Sequence, residues 1–177
     1  LVEHFTAIAD ASTVPMLVYN IPSRTGRLIE VATLARLAAH PKIVAVKDAV
    51  GDLAFTTKTR ETCGDSLTIY SGDDILTIPM MAVGAVGVVS VASHLAGKQI
   101  KKMVDAAASG DWAEAQRLHL ALAPLFAACF LEPNPMPVKA ALDALWKPVG
   151  RPRLPLVPAS AETVAAIKEA LAAARPG

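Results

Sequence analysis

The feature that most constrains the fold is an alternation of short apolar strands with helices through the first half of the chain. Strand signals cover Met16–Asn20 and residues 43–49, 67–70 and 86–91. Apolar residues at helical spacing fill the stretches around them, as at Val31, Leu34 and Leu37. Strands and helices that alternate in this way form βαβ units with right-handed crossovers. The sequence therefore predicts an α/β fold with four parallel strands.

From Leu95 onward the alternation ends, and the pattern predicts only helices. These cover residues 95–108 and 111–130, then a stretch that ends near Trp146, and a last helix that Ser160 caps. A proline-rich connector at Glu132 and a proline-rich arm over residues 151–158 separate them. We therefore predict a β/α domain over residues 1–108 and a C-terminal helical region over residues 109–177.

Composition and charge exclude several classes of protein. The 177 residues are 53% hydrophobic and 19% charged, which is typical of a soluble globular chain, and the net charge is only +1. The sequence contains no basic cluster for a nucleic-acid backbone and no apolar run of the ~20 residues that a membrane span needs. Two cysteines without paired spacing suit a reducing cytoplasm. We predict a cytoplasmic protein without nucleic-acid or membrane partners.

Several other polar and aromatic residues receive structural interpretations. The four histidines are scattered without metal-ligand spacing, so the sequence predicts no metal site. Asp73 and Asp74 follow a strand and are interpreted as helix caps. Trp112 and Trp146 are interpreted as packing anchors in the helical region.

Lys47 is the residue that does not fit its surroundings. It lies in the run Ile43-Val44-Ala45-Val46-Lys47-Asp48-Ala49, which is typical of a strand that is covered on both faces. A lysine of this kind often only extends its ammonium group to water at the strand end. A lysine that loses hydration can instead present a neutral amine, which attacks a carbonyl carbon to form a Schiff base. The run by itself leaves both interpretations open.

The residues at the strand ends favour the second interpretation. Ligands of α/β folds bind at the carboxyl ends of the strands, where the sequence places Tyr19, Lys47, Gly72 and Val89, with Arg24 just beyond Tyr19. An amine can form an imine with a ketone, a phenol can relay protons, and a guanidinium can bind a carboxylate with two hydrogen bonds. This combination indicates a carboxylated carbonyl substrate.

Five motifs in order resemble those of the dihydrodipicolinate synthase (4-hydroxy-tetrahydrodipicolinate synthase) family of pyruvate-dependent class I aldolases. They are Tyr19-Asn20-Ile21-Pro22-Ser23-Arg24-Thr25-Gly26, Val46-Lys47-Asp48-Ala49, Ser71-Gly72-Asp73, Gly87-Val88-Val89-Ser90 and Glu132-Pro133-Asn134-Pro135. The resemblance runs from Leu1 to about Ala174. It implies the second half of a TIM (β/α)8 barrel, with four parallel strands, followed by a C-terminal helical appendage.

The resemblance also implies a role for each strand-end residue. Lys47 matches the lysine that forms the imine with pyruvate, and Tyr19 matches the tyrosine that transfers protons. Arg24 resembles the arginine that binds the carboxylate of L-aspartate 4-semialdehyde. Val89 and Gly72 match positions that line the pyruvate pocket. The covalent imine on Lys47 replaces any cofactor, and family members are commonly homotetramers.

The chain is shorter than the family's fold requires, because a TIM barrel alone takes about 250 residues. The resemblance implies that four strands are missing, together with a threonine loop and a second tyrosine of the proton relay. We therefore expect this chain to be inactive by itself. Two alternatives stay open: a sister aldolase that acts on a sugar-derived 2-keto acid or N-acetylneuraminate, and a non-catalytic fragment or paralogue.

Overall fold

The computed structural model describes residues 1–174, and these form two compact units, Leu1–Val89 and the residues from Ser90 onward. The first unit contains three strands and five α-helices. In chain order they are α1 (Val2–Ala11), β1 (Met16–Asn20), α2 (Pro22–Thr25), α3 (Val31–Ala38), β2 (Ile43–Asp48), α4 (Leu53–Cys63), β3 (Thr68–Ser71) and α5 (Thr77–Ala82).

The strands form a parallel sheet in the order β1-β2-β3. Because side chains alternate between the two faces of a strand, the sheet has two different faces. Val18, Val46 and Ile69 are partners across the three strands and are at most 1% exposed. They belong to an apolar core that also includes side chains of the helices: Ala9, Leu34, Leu37, Cys63 and Met80. The core therefore lies on one face of the sheet.

Local signals fix the ends of the elements that flank the lysine strand. The Asp52 carboxylate accepts a hydrogen bond from the backbone N–H of Ala54 at the start of α4. Gly64 follows the last residue of α4 with a φ of 55°. Asp73 accepts a hydrogen bond from the Ile75 N–H, which confirms the interpretation as a cap.

The prediction of a fourth strand over residues 86–91 is wrong in its extent. This segment pairs with β3 at a single bridge, Ser71 to Val88, and the sheet has three strands. Gly84 ends α5 in a turn with a φ of 110°, and only after this turn does the Val86 N–H reach the Ile69 carbonyl. The chain therefore runs beside β3 over too few residues to form a strand.

The second unit is helical, as predicted. Its helices are α6 (Ser93–Ala108), α7 (Trp112–Ala128), α8 (Met136–Leu145) and α9 (Ala161–Ala173). Helix α6 packs against α7, and α9 packs against both α7 and α8. Ser160 caps α9 by accepting a hydrogen bond from the Thr163 N–H. The domain boundary that we placed at residue 108 stays a prediction, and α6 lies with the other helices of this unit.

The two tryptophans do not anchor the core of the second unit, so that interpretation is wrong. Trp112 is 44% exposed and Trp146 is 67% exposed. The core is formed instead by aliphatic and sulfur-containing side chains, including Ile100, Met103, Leu122, Leu125 and Ile167. Through residue 174, the structure contains no helix with the length and apolarity to cross a membrane.

Candidate active site

Three side chains form a row across the sheet at the carboxyl ends of its strands. Tyr19 of β1 is the register partner of Lys47 of β2, and Lys47 is the partner of Tyr70 of β3. The row immediately follows the buried row of Val18, Val46 and Ile69, so by strand alternation it lies on the opposite face. Tyr19 is 42% exposed, and Lys47 and Tyr70 are half-buried. The row is therefore accessible to a small molecule.

Lys47 contacts Tyr19 directly. Its Nζ lies 4.2 Å from the centroid of the Tyr19 ring, which is within the range of a cation–π interaction. Across residues 1–174, the structure shows no ion pair between this Nζ and a carboxylate. The amine and the phenol thus lie side by side, and no fixed carboxylate competes with a substrate for the amine.

Gly72 forms the wall beside the lysine side chain. A Cβ atom at this position would lie 2.7 Å from the Ala49 Cβ and 3.1 Å from the Lys47 Cγ. Its N–H donates to the Asp48 carbonyl at 2.6 Å. Only glycine fits this close approach without moving its neighbours. Val89 lies next to this wall, because its N–H donates to the carbonyl of Ser71 at 2.9 Å.

Arg24 is exposed and lies on the four-residue helix α2, which begins two residues after the end of β1. The sequence pattern did not predict this helix. It is stabilised locally, since the Thr25 hydroxyl donates to the Ile21 carbonyl at 3.0 Å and Gly26 follows with a φ of 68°. The geometry therefore brings Tyr19, Lys47, Gly72 and Val89 close together, and it holds Arg24 on the loop that leaves the same end of β1.

A second row of polar side chains lies immediately beyond the first and faces the opposite side of the sheet. Its members are Asn20, Asp48 and Ser71, and each is at most 2% exposed. Asp48 accepts hydrogen bonds from the Thr56 hydroxyl at 2.7 Å and from the Val50 N–H at 3.0 Å. Burial raises the pKa of the Asp48 carboxyl, and these two hydrogen bonds oppose that rise.

Sequence reasoning assigned no role to Tyr70 or Asn20, both of which the structure places beside the candidate site. Tyr70 could have been found from its position in the chain, because it lies in the short strand β3, two residues before Gly72. The signal for Asn20 was a polar residue between an apolar strand and the Ile21-Pro22 turn. Across residues 1–174, no group of three or more His, Cys, Asp or Glu side chains is placed to bind a metal.

This arrangement can support imine chemistry. The Lys47 amine is next to a phenol that can give and take protons, and the missing Cβ of Gly72 avoids a clash with the lysine side chain. A guanidinium on the adjoining loop can bind a carboxylate.

Comparisons with known proteins point to a single family. Residues 1–174 match the Dihydrodipicolinate synthetase family. The 4-hydroxy-tetrahydrodipicolinate synthase of Synechococcus elongatus is 53% identical over 173 residues, which cover 97% of this chain and 56% of that protein. The chain thus spans about half the length of the curated relatives it matches.

Solved structures agree with this match. The DHDPS structure from Cyanidioschyzon merolae, with lysine bound, has a TM-score of 0.93 at 43% identity, and the match covers 98% of this chain and 59% of that one. The chloride-inhibited dihydrodipicolinate synthase of Acinetobacter baumannii, complexed with pyruvate, has a TM-score of 0.91 at 35% identity, and the match covers 98% of this chain and 60% of that one.

Proposed function

The chain belongs to the dihydrodipicolinate synthetase family, and from this premise we propose that it carries the imine-forming part of a 4-hydroxy-tetrahydrodipicolinate synthase. Such an enzyme condenses pyruvate with L-aspartate 4-semialdehyde in the biosynthesis of lysine and diaminopimelate. The observation that carries the proposal is the contact of the Lys47 amine with the Tyr19 ring at 4.2 Å, on neighbouring strands of the sheet. The pyruvate complex of the Acinetobacter baumannii relative supports the choice of keto acid.

The first half of the reaction builds a nucleophile on Lys47. The neutral amine attacks the keto carbon of pyruvate to give a carbinolamine, and loss of water gives the imine. Tyr19 donates the proton that leaves with the hydroxyl group and then regains one. Loss of a proton from the pyruvate methyl group converts the imine to an enamine. We assign Gly72 and Val89 to the wall of the pocket that holds the pyruvate skeleton.

The second half of the reaction joins the two substrates. The enamine carbon adds to the aldehyde carbon of L-aspartate 4-semialdehyde, whose carboxylate we assign to Arg24. The amino group of this substrate then attacks the imine carbon, which closes the ring and releases the Lys47 amine. The sequence of steps uses no metal and no dissociable cofactor, because the lysine itself activates the ketone.

We further propose that the chain is the second half of a TIM barrel. Tyr19, Lys47 and Tyr70 lie on a sheet face that stays partly open, and Leu17 on the same face is 40% exposed. Eight strands are needed to close such a sheet into a barrel, and the first unit has three strands and one bridged segment. By analogy with the family, we propose that the complete protein is cytoplasmic and assembles as a homotetramer.

Borohydride reduction in the presence of pyruvate tests the proposal on the 177-residue chain. A mass increase of one reduced pyruvyl group on the peptide that contains Lys47 is expected, since borohydride reduces an imine to a stable amine. Lys47→Arg, which keeps a long basic side chain beside Tyr19, should abolish the adduct, and Lys42→Arg is the matched control that should retain it. If the unaltered chain gives no adduct on Lys47, the imine mechanism is wrong and the non-catalytic alternative stands.

Measurement of turnover tests which substrate the enzyme uses, and it needs a longer protein. We define the hybrid chain as this chain joined to the part of the Synechococcus elongatus relative that this chain does not cover. We expect the hybrid to consume pyruvate only when L-aspartate 4-semialdehyde is present, and the isolated 177-residue chain to show no turnover. A hybrid that cleaves 2-keto-3-deoxy sugar acids or N-acetylneuraminate instead would identify a sister aldolase.

A further inference from the structure

We propose that Asn20 is a positioning residue that fixes the loop carrying Arg24 and so sets the place of the guanidinium group. The loop consists of residues 21–28, and Asn20 is the last residue of β1. This inference rests on the proposed function, because the carboxylate of the aldehyde is the group that Arg24 would bind. It adds a residue that does not itself contact the substrate.

The evidence is a pair of hydrogen bonds between the ends of the loop. The Asn20 Nδ2 donates to the Ile29 carbonyl at 3.0 Å, and the Ile29 N–H donates to the Asn20 Oδ1 at 3.0 Å. Asn20 is fully buried, and Ile29 is only 4% exposed and belongs to the apolar core. The side chain of one residue thus closes the loop at its base, while the loop residues 23–27 are exposed.

The residue type matters because the contact needs a donor and an acceptor on one short side chain. Asparagine has both, whereas aspartate has no donor when ionised and alanine has neither. The Asn20 backbone carbonyl also accepts a hydrogen bond from the Ala49 N–H at 2.9 Å. Asn20 therefore connects the Arg24 loop to the end of the lysine strand, two residues after Lys47.

Loss of the amide would leave the Ile29 N–H and carbonyl buried without a partner, which is unfavourable. The loop has little else to hold it, because α2 has four residues and its internal bonds come from its own backbone and Thr25. We therefore expect the loop to open more often in an Asn20 variant, while the rest of the unit stays folded.

Trypsin measures this opening in the 177-residue chain, because it cuts after Arg24 and Arg27 within the loop. In Asn20→Ala, cleavage at these two sites should be faster by about tenfold or more, the factor expected for one or two lost hydrogen bonds. Cleavage after Arg60 in α4 should change by less than about twofold, since distant sites behave independently. An equal increase in cleavage after Arg60 would show a global effect and would overturn the proposal. Unchanged cleavage after Arg24 and Arg27 would also overturn it.

Thr59→Val is the matched control. Thr59 is 1% exposed, and its hydroxyl donates to the Phe55 carbonyl within α4. This variant also removes the hydrogen bond of a buried side chain, but it should not accelerate cleavage after Arg24 or Arg27. If Asn20→Ala does not fold, Asn20→Asp keeps the acceptor for the Ile29 N–H but loses the donor to the Ile29 carbonyl, so it should still accelerate cleavage in the loop. No acceleration in a folded Asn20→Asp chain would contradict the proposal.

Kinetics of the hybrid chain test the consequence for Arg24. We expect Asn20→Ala to raise the KM for L-aspartate 4-semialdehyde about tenfold with little change in kcat, because a mobile guanidinium weakens binding of the substrate. The rate of borohydride trapping with pyruvate should not change, and the Thr59→Val control should alter neither. An unchanged KM with intact trapping overturns the inference alone, whereas loss of trapping in the unaltered chain overturns the proposed function.

Hydrogen exchange on the unaltered chain gives an independent check. The Ile29 amide should exchange as slowly as the Ala49 amide, because both donate to atoms of Asn20. Exchange of Ile29 at the rate of the exposed Ser23 amide would show that the loop is not closed at its base, and the proposal would then be wrong.

Discussion

Each strand of the sheet ends in a buried polar side chain, and each of these side chains organises the loop that follows it. Asn20 binds Ile29 beyond the Arg24 loop, and Ser71 exchanges hydrogen bonds with the backbone of Asp73 beside Gly72. Asp48 receives the Val50 N–H just after the lysine. The row of Tyr19, Lys47 and Tyr70 lies just before these loops, and the buried row holds the loops in place.

Asp48 is the member of this row whose charge makes stability depend on pH. Burial raises the pKa of its carboxyl in the folded chain above the unfolded value of about 3.9. Between those two values the folded state binds more protons than the unfolded state, so stability falls as pH rises. We therefore expect the free energy of unfolding to decline, relative to an Asp48→Asn chain, as pH rises from about 4 through the folded pKa.

Urea unfolding of both chains over a series of pH values measures this difference. Taking the difference removes the contributions of titrating groups that do not interact with Asp48; the nearby Asp52, whose negative charge also raises the Asp48 pKa, still contributes to the difference. The difference should level off once Asp48 is fully ionised in both states. A difference that is independent of pH, or that favours the unaltered chain as pH rises, would contradict the assignment.

At the scale of elements, periodicity predicted most of the first unit, and the errors have local causes. The strand at Met16–Asn20 has its predicted ends, and the lysine strand ends at Asp48, one residue before its predicted end. The fourth strand was predicted from the β-branched residues of 86–91, a signal that does not report the turn at Gly84. The helix at Pro22–Thr25 was missed because four residues are too few for a periodic pattern.

The candidate site was also predictable in part. Strand ends and residue chemistry brought together Tyr19, Lys47 and Arg24, because parallel strands end at one edge. Register was not predictable, and the Tyr70 partner of Lys47 depends on it. The tryptophans were misassigned because size favours burial on average, whereas Trp146 lies at the end of α8 with its ring against the Lys147 ammonium at 4.2 Å.

Gly84 forms the turn that comes before residues 86–91, the segment that bridges to β3. Its φ of 110° is unfavourable for any residue with a Cβ, and a Cβ would lie 2.8 Å from the Arg60 Cγ. We expect Gly84→Ala to lower the free energy of unfolding by roughly 1–3 kcal/mol. Gly97→Ala is the matched control, since nothing lies within 4 Å of a Cβ there, and it should change stability by less than about 1 kcal/mol. Equal losses in urea unfolding would refute this role for Gly84.

At the scale of the whole molecule, the open face of the sheet decides what the chain can do by itself. Leu17 and Tyr19 are 40% and 42% exposed, although they lie on one face of β1 within the sheet. Apolar strand residues are usually covered when a sheet is part of a complete α/β fold. If the chain is half of a barrel, as we propose, this face becomes interior in the complete protein.

A charge on this face should therefore have opposite consequences in the two contexts. We expect Leu17→Lys to change the free energy of unfolding of the 177-residue chain by less than about 1 kcal/mol, because the ammonium stays in water. In the hybrid chain the same substitution should destabilise by several kcal/mol, since it would bury an unpaired charge beside the lysine row.

Val14→Lys is the matched control, because Val14 is 62% exposed and precedes β1. It should have a small effect in both chains, which would show that a new charge near β1 is not harmful in general. Urea unfolding of the four variants, measured against the two parent chains, separates the contexts. If Leu17→Lys is equally mild in the hybrid, the open face stays in water in the longer protein. The barrel interior, and with it the enclosed pocket around Lys47, would then have to be abandoned.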